Sequence, residues 1–399
     1  MLTSSDRWDD DRPPPPSSSS AAAALAALPL AMSAESSARI LNARLANARD
    51  DRELADIVNN AGGGAVDDFN EIHVTTAVGR LARLTARRKT TTLTWRQRDD
   101  VLALLEERLK TLDSIRARNV ANLLWSYAKL KYPGNHSVVQ CVSDHVLRVV
   151  DDFKAMDMAN TVWAWATLRY QASDDVLAAM ERRMLACLDD FKPQELANTV
   201  WAVAMLMNNI EGDKITIDQD VLDRLLHQLE AIEFRSVEEH SLQQIFHAHH
   251  LLGDRFKPSV ALLDQAREAW AKSTLACASS SSRSSLEREV IACLDRLGIT
   301  YDVEALTEDG MHCVDMLVRG RTDDGGERLL AIECDGPTHF LRASDGTYRI
   351  DGSTYARNCD LRKLGLDVLC VAVHNWISLT KDARDAYFIR ELQGRGIVV

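Results

Sequence analysis

The chain has 399 residues, 46% of them apolar and 27% charged, so it can bury sizeable cores and is long enough for two or three domains. A formal net charge of −12 excludes a uniformly basic nucleic-acid binder, and any anion-binding surface has to be local. No stretch reaches the roughly 18 to 20 apolar residues of a membrane-spanning helix. The eight cysteines include no C-x-x-C pair, which excludes a zinc ribbon and reads as small buried hydrophobes in a reducing compartment.

Residues 1–35 combine an acidic start, PPPPSSSS and an alanine-rich run. The first twelve residues fit neither a secretory signal, which needs a basic beginning, nor an Arg-rich transit peptide. A disordered, low-complexity tail is expected over 1–35.

Helical repeats are expected over 36–272. ANLLWSYAKL (121–130), ANTVWAWATL (159–168) and ANTVWAVAML (197–206) align without a gap at a spacing of 38 residues. Asn122, Asn160 and Asn198 share one position and Trp125, Trp163 and Trp201 another, with Ile115, Phe153 and Phe191 in register upstream. Each copy reads as two amphipathic helices that bury their apolar faces only against neighbouring copies, an α-solenoid. Worn copies flank the three at 69–84 and 234–252.

Positions constant between copies are those that stack hairpins, so the three Trp are expected in the core. The Asn residues fit a cap, a bond between repeats or a base reader. Sequence readout needs positions that vary. These are 127, 165 and 203 (Tyr127, Trp165, Val203) or 129, 167 and 205 (Lys129, Thr167, Met205), and either register suits RNA bases splayed against side chains. The segment 72–98 carries Arg80, Arg83, Arg87, Arg88, Lys89, Arg96 and Arg98 with Trp95 and no acidic residue. It reads either as a phosphate-binding patch or as a solvated helix end and loop. His247, His249 and His250 read as polar-face residues of a helix.

Residues 273–285 read as a linker. Beyond it, 286–395 shows a capped helix opened by Ser284 and Glu287, three strand-like runs, a helix near 354–364, the buried-strand run LDVLCVAV and a last helix: αβββαβα, a small α/β domain. No P-loop, dinucleotide fingerprint or nucleophile elbow is present.

IECDGPTHF (332–340) and GSTYARNCDLRKLGLDVLCVAVHNWISL (352–379) resemble the RAP domain. The marks are Glu333, the Asp335-Gly336-Pro337 turn, His339, Phe340, Leu361, Leu364-Gly365 and Trp376. The 38-residue copies resemble the octotricopeptide repeats of algal and protist organelle proteins, which combine such repeats with a C-terminal RAP domain, as the related FAST-kinase-domain proteins do. The resemblance implies single-stranded RNA as partner, with ribonucleoprotein or ribosomal partners beside it. It also implies a mitochondrial or chloroplast location and support of RNA processing, stability or translation. With three clear copies and two worn ones, about five bases are addressable if each repeat reads one.

The strand order also resembles the restriction-endonuclease-like PD-(D/E)xK core. That resemblance implies Asp315 and Glu333 as ligands of Mg²⁺, with Asp335 where a Lys is usual and His339 as general base, in a metal-dependent ribonuclease. The other reading of the same residues is a turn at Asp335-Gly336-Pro337 and a Glu333 ion pair with Arg362 or Lys363. A protein-binding scaffold is the third functional class open to such a solenoid.

Overall fold

The computed structural model describes residues 34–60, 68–86, 92–132, 137–208, 215–232, 238–279, 283–321, 326–343 and 345–397. The expected tail therefore lies outside them up to residue 33, and so do Arg87, Arg88 and Lys89. Helices α1 (Ala34–Asn47) and α2 (Asp51–Asn59) precede a run of hairpins. These are α3 (Glu71–Ala86) with α4 (Trp95–Lys110), then α5 (Ala117–Lys129) with α6 (Ser137–Asp144) and the single-turn α7 (Val146–Val149). Next come α8 (Ala155–Leu168) with α9 (Asp174–Ala186), α10 (Pro193–Met207) with α11 (Gln219–Glu230), and α12 (Glu239–Leu252) with α13 (Val260–Ala278). The first helices stack in the order α3, α5, α8, α10, α12, so the two worn copies are members of the same array. No helix among the described residues is long and apolar enough to cross a membrane.

The repeat has a local logic. Small residues let the inner helices approach closely: Ala121, Ala159 and Ala197 are buried, and so are Ala128, Ala166 and Ala204. Phe153 and Phe191 anchor the turn before α8 and α10. One turn into each helix an acid reaches back to its start: Asp157 accepts the Lys154 N–H at 3.1 Å and Glu195 accepts the Lys192 N–H at 3.0 Å. Each satisfies a backbone donor that the helix itself leaves unpaired.

α13 continues through Ala278, so the first six residues of the segment expected to be linker, 273–278, are helical. After it come α14 (Ser285–Arg296), β1 (Tyr301–Leu306), β2 (Cys313–Arg321), β3 (Glu327–Asp335), β4 (Phe340–Arg342), β5 (Tyr348–Ile350), α15 (Gly352–Lys363), β6 (Asp367–Ala372), the short α16 (Val373–Trp376) and α17 (Lys381–Gly394). The main sheet has the order β1-β2-β3-β6. Its first three strands are antiparallel, and α15 is the crossover that brings β6 parallel to β3. α14 and α17 cover one face through Val290, Leu294, Phe388 and Leu392, packed on Met316, Ile332 and Val371. Leu361 of α15 covers the other, against Leu317, Ala331 and Val368. The αβββαβα order stands, with two additions: β4 and β5 form a separate two-stranded hairpin, and the short α16 follows β6.

That hairpin and α15 seat the α/β part on the helices, and the helical core takes in Leu341 and Ala356. A Cβ on Gly352 would lie 2.0 Å from the Ala166 carbonyl oxygen, so α8 and α15 meet at a distance only glycine permits. Asp351 caps α15, accepting the Thr354 N–H at 2.8 Å, and pairs with Lys131. Arg342 bonds the Lys131 carbonyl through its N–H at 2.9 Å and pairs with Asp99 at 3.0 Å. Lys131 and Arg169 stand 38 residues apart in the repeat, and both take left-handed backbone angles, φ 54° and 53°, where glycine is the usual choice. Their side chains explain the departure. Lys131 reaches Asp351, while Arg169 lies 3.9 Å over the Tyr355 ring and donates to the Ile350 carbonyl at 3.5 Å.

At the far end of α15, Asp360 is buried among three imidazoles, with His247 at 3.9 Å and His250 and His312 at 3.6 Å. His247 and His250 are therefore not polar-face residues, as the sequence suggested, but part of the seat. Trp201 donates its indole N–H to His247 Nδ1 at 3.0 Å. This leaves the Nε2 proton directed at Asp360 when the ring is neutral. Burial disfavours ionised Asp360, yet the three imidazoles beside it hold its carboxyl well below the usual range. Burial also lowers His247. Both depressions act in one direction: stability is present above the unfolded values and is lost as pH falls, first below about 6.5 for the imidazole and then below about 4 for the carboxyl. Urea midpoints recorded from pH 7.5 to pH 4.5 should fall steeply in the native protein. An identical slope in His247→Gln would show that this cluster does not set the acid limit.

Candidate nucleic-acid interface

Two places gather the residues that the sequence singles out: the α15-facing side of the sheet and the inner surface of the helical array. On β3, Ile332 and Cys334 point into the α14–α17 core, so the alternation of a strand sends Glu333 and Asp335 to the α15 side. There Arg357, one turn into α15, bridges them, its Nη1 3.0 Å from Glu333 and its Nη2 3.0 Å from Asp335. Glu333 thus pairs with Arg357 rather than with Arg362 or Lys363. His339 Nδ1 lies 3.4 Å from Asp335 and 3.2 Å from the Thr354 hydroxyl. Asp315 on β2 accepts the Cys334 N–H at 2.7 Å and feels the charge of Arg357.

Burial pushes Glu333 up to about 8 and Asp315 up to about 6, with Arg357 opposing both shifts. Burial works against the charge of Arg357 in turn, and Glu333 and Asp335 hold it protonated. The four candidate side chains do share a neighbourhood. The arrangement nevertheless does not fit Mg²⁺. Glu333 Oε1 and Asp335 Oδ2 are buried without a hydrogen-bond partner, but the guanidinium already neutralises both carboxylates. Three acid oxygens close enough to share one ion are not found here among the described residues. Glu333 and Asp335 therefore stand as partners of Arg357 in a buried ion pair, and Asp315 as a neighbour that accepts the β3 backbone.

The helical candidates divide by register. Tyr127 and Trp165 are completely buried, and Thr167 is 3% exposed. Trp165 donates to the Ser143 hydroxyl at 2.9 Å inside the core. None of the three is available to a base, which corrects that part of the expected readout surface. Two residues along a helix turn a side chain by about 200°, so the residues opposite Tyr127 and Trp165 face outward. Trp125 and Trp163 are accordingly half-exposed, and the expectation of three core tryptophans holds only for Trp201. Lys129 Nζ sits 5.5 Å from the Trp125 ring centroid and 5.2 Å from that of Trp163, over both aromatic surfaces. Arg118, Asn122, Trp125 and Lys129 form one stripe of α5 at i, i+4, i+7 and i+11. Met156 and Trp163 continue it on α8. At the entrance to both helices, a groove of about 590 Å³ is lined by Arg116, Arg118, Lys154 and Met156, with Asp152 and Asp157 among its walls.

The asparagine position also becomes clear. All three lie inside helices rather than at their starts, and Asn198 Oδ1 accepts the Gln244 side-chain N–H of α12 at 2.8 Å. It bonds between repeats. The basic run divides likewise. Arg80 donates to the Ala48 carbonyl at 2.9 and 2.6 Å, and Arg98 is buried, donating to the Leu93 carbonyl while its guanidinium lies 4.1 Å over Trp95. Both are structural. Arg83 and Arg96 are exposed.

Removal of Arg357 should be severe, since it strands two buried carboxylates. Arg357→Ala is expected to cost about 3–5 kcal/mol near pH 8 and clearly less near pH 5, where Glu333 and Asp315 take up protons. Urea unfolding at the two pH values measures this. A small loss that does not change with pH would mean that the guanidinium is not the compensating charge.

Residues 332–392 match the family model described as RAP domain. No curated protein matches the chain.

Proposed function

We propose that this chain, a RAP domain carried behind a stack of helical repeats, binds single-stranded RNA along the inner surface of its repeats. One observation carries the reading: two half-exposed tryptophans one repeat apart, Trp125 and Trp163, share a single lysine ammonium. Two flat aromatic surfaces that share a cation suit a nucleotide, whose base stacks and whose phosphate pairs. The groove edged by Arg116, Arg118 and Lys154 lies on the same helices and offers positive charge to the adjoining backbone. The overall charge of −12 gives affinity a local origin, because the rest of the surface repels RNA.

The RAP domain itself supports RNA as the ligand class. In this reading it acts as a second contact and as the wall that closes one end of the repeat surface. The setting we infer is organellar, mitochondrial or plastid, with a role in RNA processing, stability or translation. The likeness of the repeats to octotricopeptide proteins supports it. Fractionation of cells expressing the tagged full-length chain tests the setting, and exclusive recovery outside organelles would end that part of the proposal. The Arg357 bridge favours a binding role over phosphodiester cleavage at the RAP domain.

Fluorescence anisotropy with labelled single-stranded RNA over a salt series tests binding. Trp125→Ala and Trp163→Ala should each weaken affinity by about 1–3 kcal/mol, as for loss of one stacked base. Lys129→Ala should lower the salt dependence by about one phosphate contact. Tight binding unaffected by all three substitutions would place the RNA elsewhere.

A further inference from the structure

Eight cysteines with no close pair in sequence give no reason to expect a metal, yet the fold brings two of them to one carboxylate. Cys277 lies near the end of α13, Glu304 in β1 and Cys313 at the start of β2. Both thiols direct their sulfur at the same atom, Glu304 Oε2, from 3.7 Å for Cys277 and 3.3 Å for Cys313. Among the described residues this is the one group of three or more His, Cys, Asp or Glu side chains whose ligand atoms all lie within 4.8 Å of one another. With Zn–S bonds of about 2.3 Å and Zn–O of about 2.0 Å, the S···O edge of a tetrahedron is about 3.5 Å. The two observed separations fall on either side of that edge.

The backbone supplies a second, independent observation. Glu304 stands within a strand at φ 48°, a left-handed angle that is costly for a residue with a Cβ. The β1–β2 ladder is interrupted there: Val303 pairs with Met316 and Ala305 with Val314, and Glu304, opposite Asp315, is the one position of β1 between them outside the ladder. The left-handed backbone turns Glu304 toward the two thiols. On the helical side, Trp270 stands seven residues before Cys277 on the same face of α13 and donates its indole N–H to the Met311 carbonyl at 2.9 Å. That contact holds the helix over the β1–β2 turn. All three ligands are half-buried, open enough for an ion to enter.

We propose that Cys277, Glu304 and Cys313 form a Zn²⁺ site that clasps the last helix of the stack to the first hairpin of the sheet. Two thiolates and one carboxylate suit borderline-soft Zn²⁺ better than Mg²⁺ or Ca²⁺, which take oxygen, or Cu⁺, which prefers sulfur throughout. Three protein ligands leave one tetrahedral corner for water or another small ligand. Binding releases the two thiol protons to solvent, so affinity rises with pH. The clasp spans the junction between the two structural classes of the chain and would tie their separation to metal supply. It does not depend on RNA binding.

The test uses the full-length chain, reduced with a non-chelating phosphine, desalted, and titrated with Co²⁺ as a spectroscopic stand-in for Zn²⁺. One equivalent should produce the intense thiolate-to-cobalt band and the visible bands of a tetrahedral site, and Zn²⁺ should abolish them. Cys277→Ser and Cys313→Ser should each weaken Co²⁺ at least tenfold. Glu304→Gln keeps both thiols and should do the same, while Cys141→Ser, a thiol away from the site, should not. A reduced, folded protein that gives no such bands overturns the proposal. So do bands that survive all three ligand substitutions, or a protein that fails to take up Co²⁺ and instead loses two hydrogens between Cys277 and Cys313 as a disulfide.

Discussion

Helix α15 carries a buried carboxylate at each end, and the helical array supplies a partner to both. Asp351 is at the first end, nearly enclosed, with Lys131 beside it. Asp360 is at the other, ringed by His247, His250 and His312. An uncompensated buried charge costs several kcal/mol, so the α/β part and the repeats have to meet in one registered way. The close contact between Gly352 and Ala166 adds the steric half of the same constraint. These features form a keyed seat, in which misplacement by one helical turn would strand two acids and drive a backbone atom into a carbonyl.

The seat explains why the repeats are unequal in detail. The position shared by Lys131 and Arg169 lies at the C-terminal end of an inner helix, where an ordinary solenoid would use glycine or asparagine for the left-handed turn. Here the strain, of order 1–2 kcal/mol each, is offset by ion pairing with Asp351 in one case and stacking on Tyr355 in the other. The tryptophan position diverges for a related reason. Trp201 lies where α12 covers it and donates to His247, so it is drawn into the seat. Trp125 and Trp163 lie further from α12 and keep an open face.

Much of the fold was legible in the sequence because its signals are local or periodic. The 38-residue spacing reveals the stacked hairpins directly, and the apolar runs from Ile299 onward give the strand order. The three-residue strands β4 and β5 carry too short a pattern to read, although they build much of the seat. The candidate site was legible in its residue types but not in its roles. Glu333, Asp335, Asp315 and His339 do gather, yet Arg357 comes from a helix whose own pattern gives no hint that it faces β3. Constancy between copies likewise singled out Trp125 and Trp163 without saying which way they face. Only the burial of Tyr127 and Trp165, two residues further on, settles it.

Three of the acid clusters are compensated in three different ways, and the contrast bears on what each can do. Glu333 and Asp335 share a guanidinium, which cannot lose its proton and leaves no room for exchange. Asp360 has Lys363 on one carboxylate oxygen at 3.1 Å and three imidazoles about the other. Glu304 has only two thiols, neutral donors that become strong ligands once deprotonated. Among the described residues no lysine, arginine or histidine is paired with this half-buried carboxylate, which is held in a costly backbone conformation. Of the three clusters, it is the one whose chemistry asks for an ion from outside the chain.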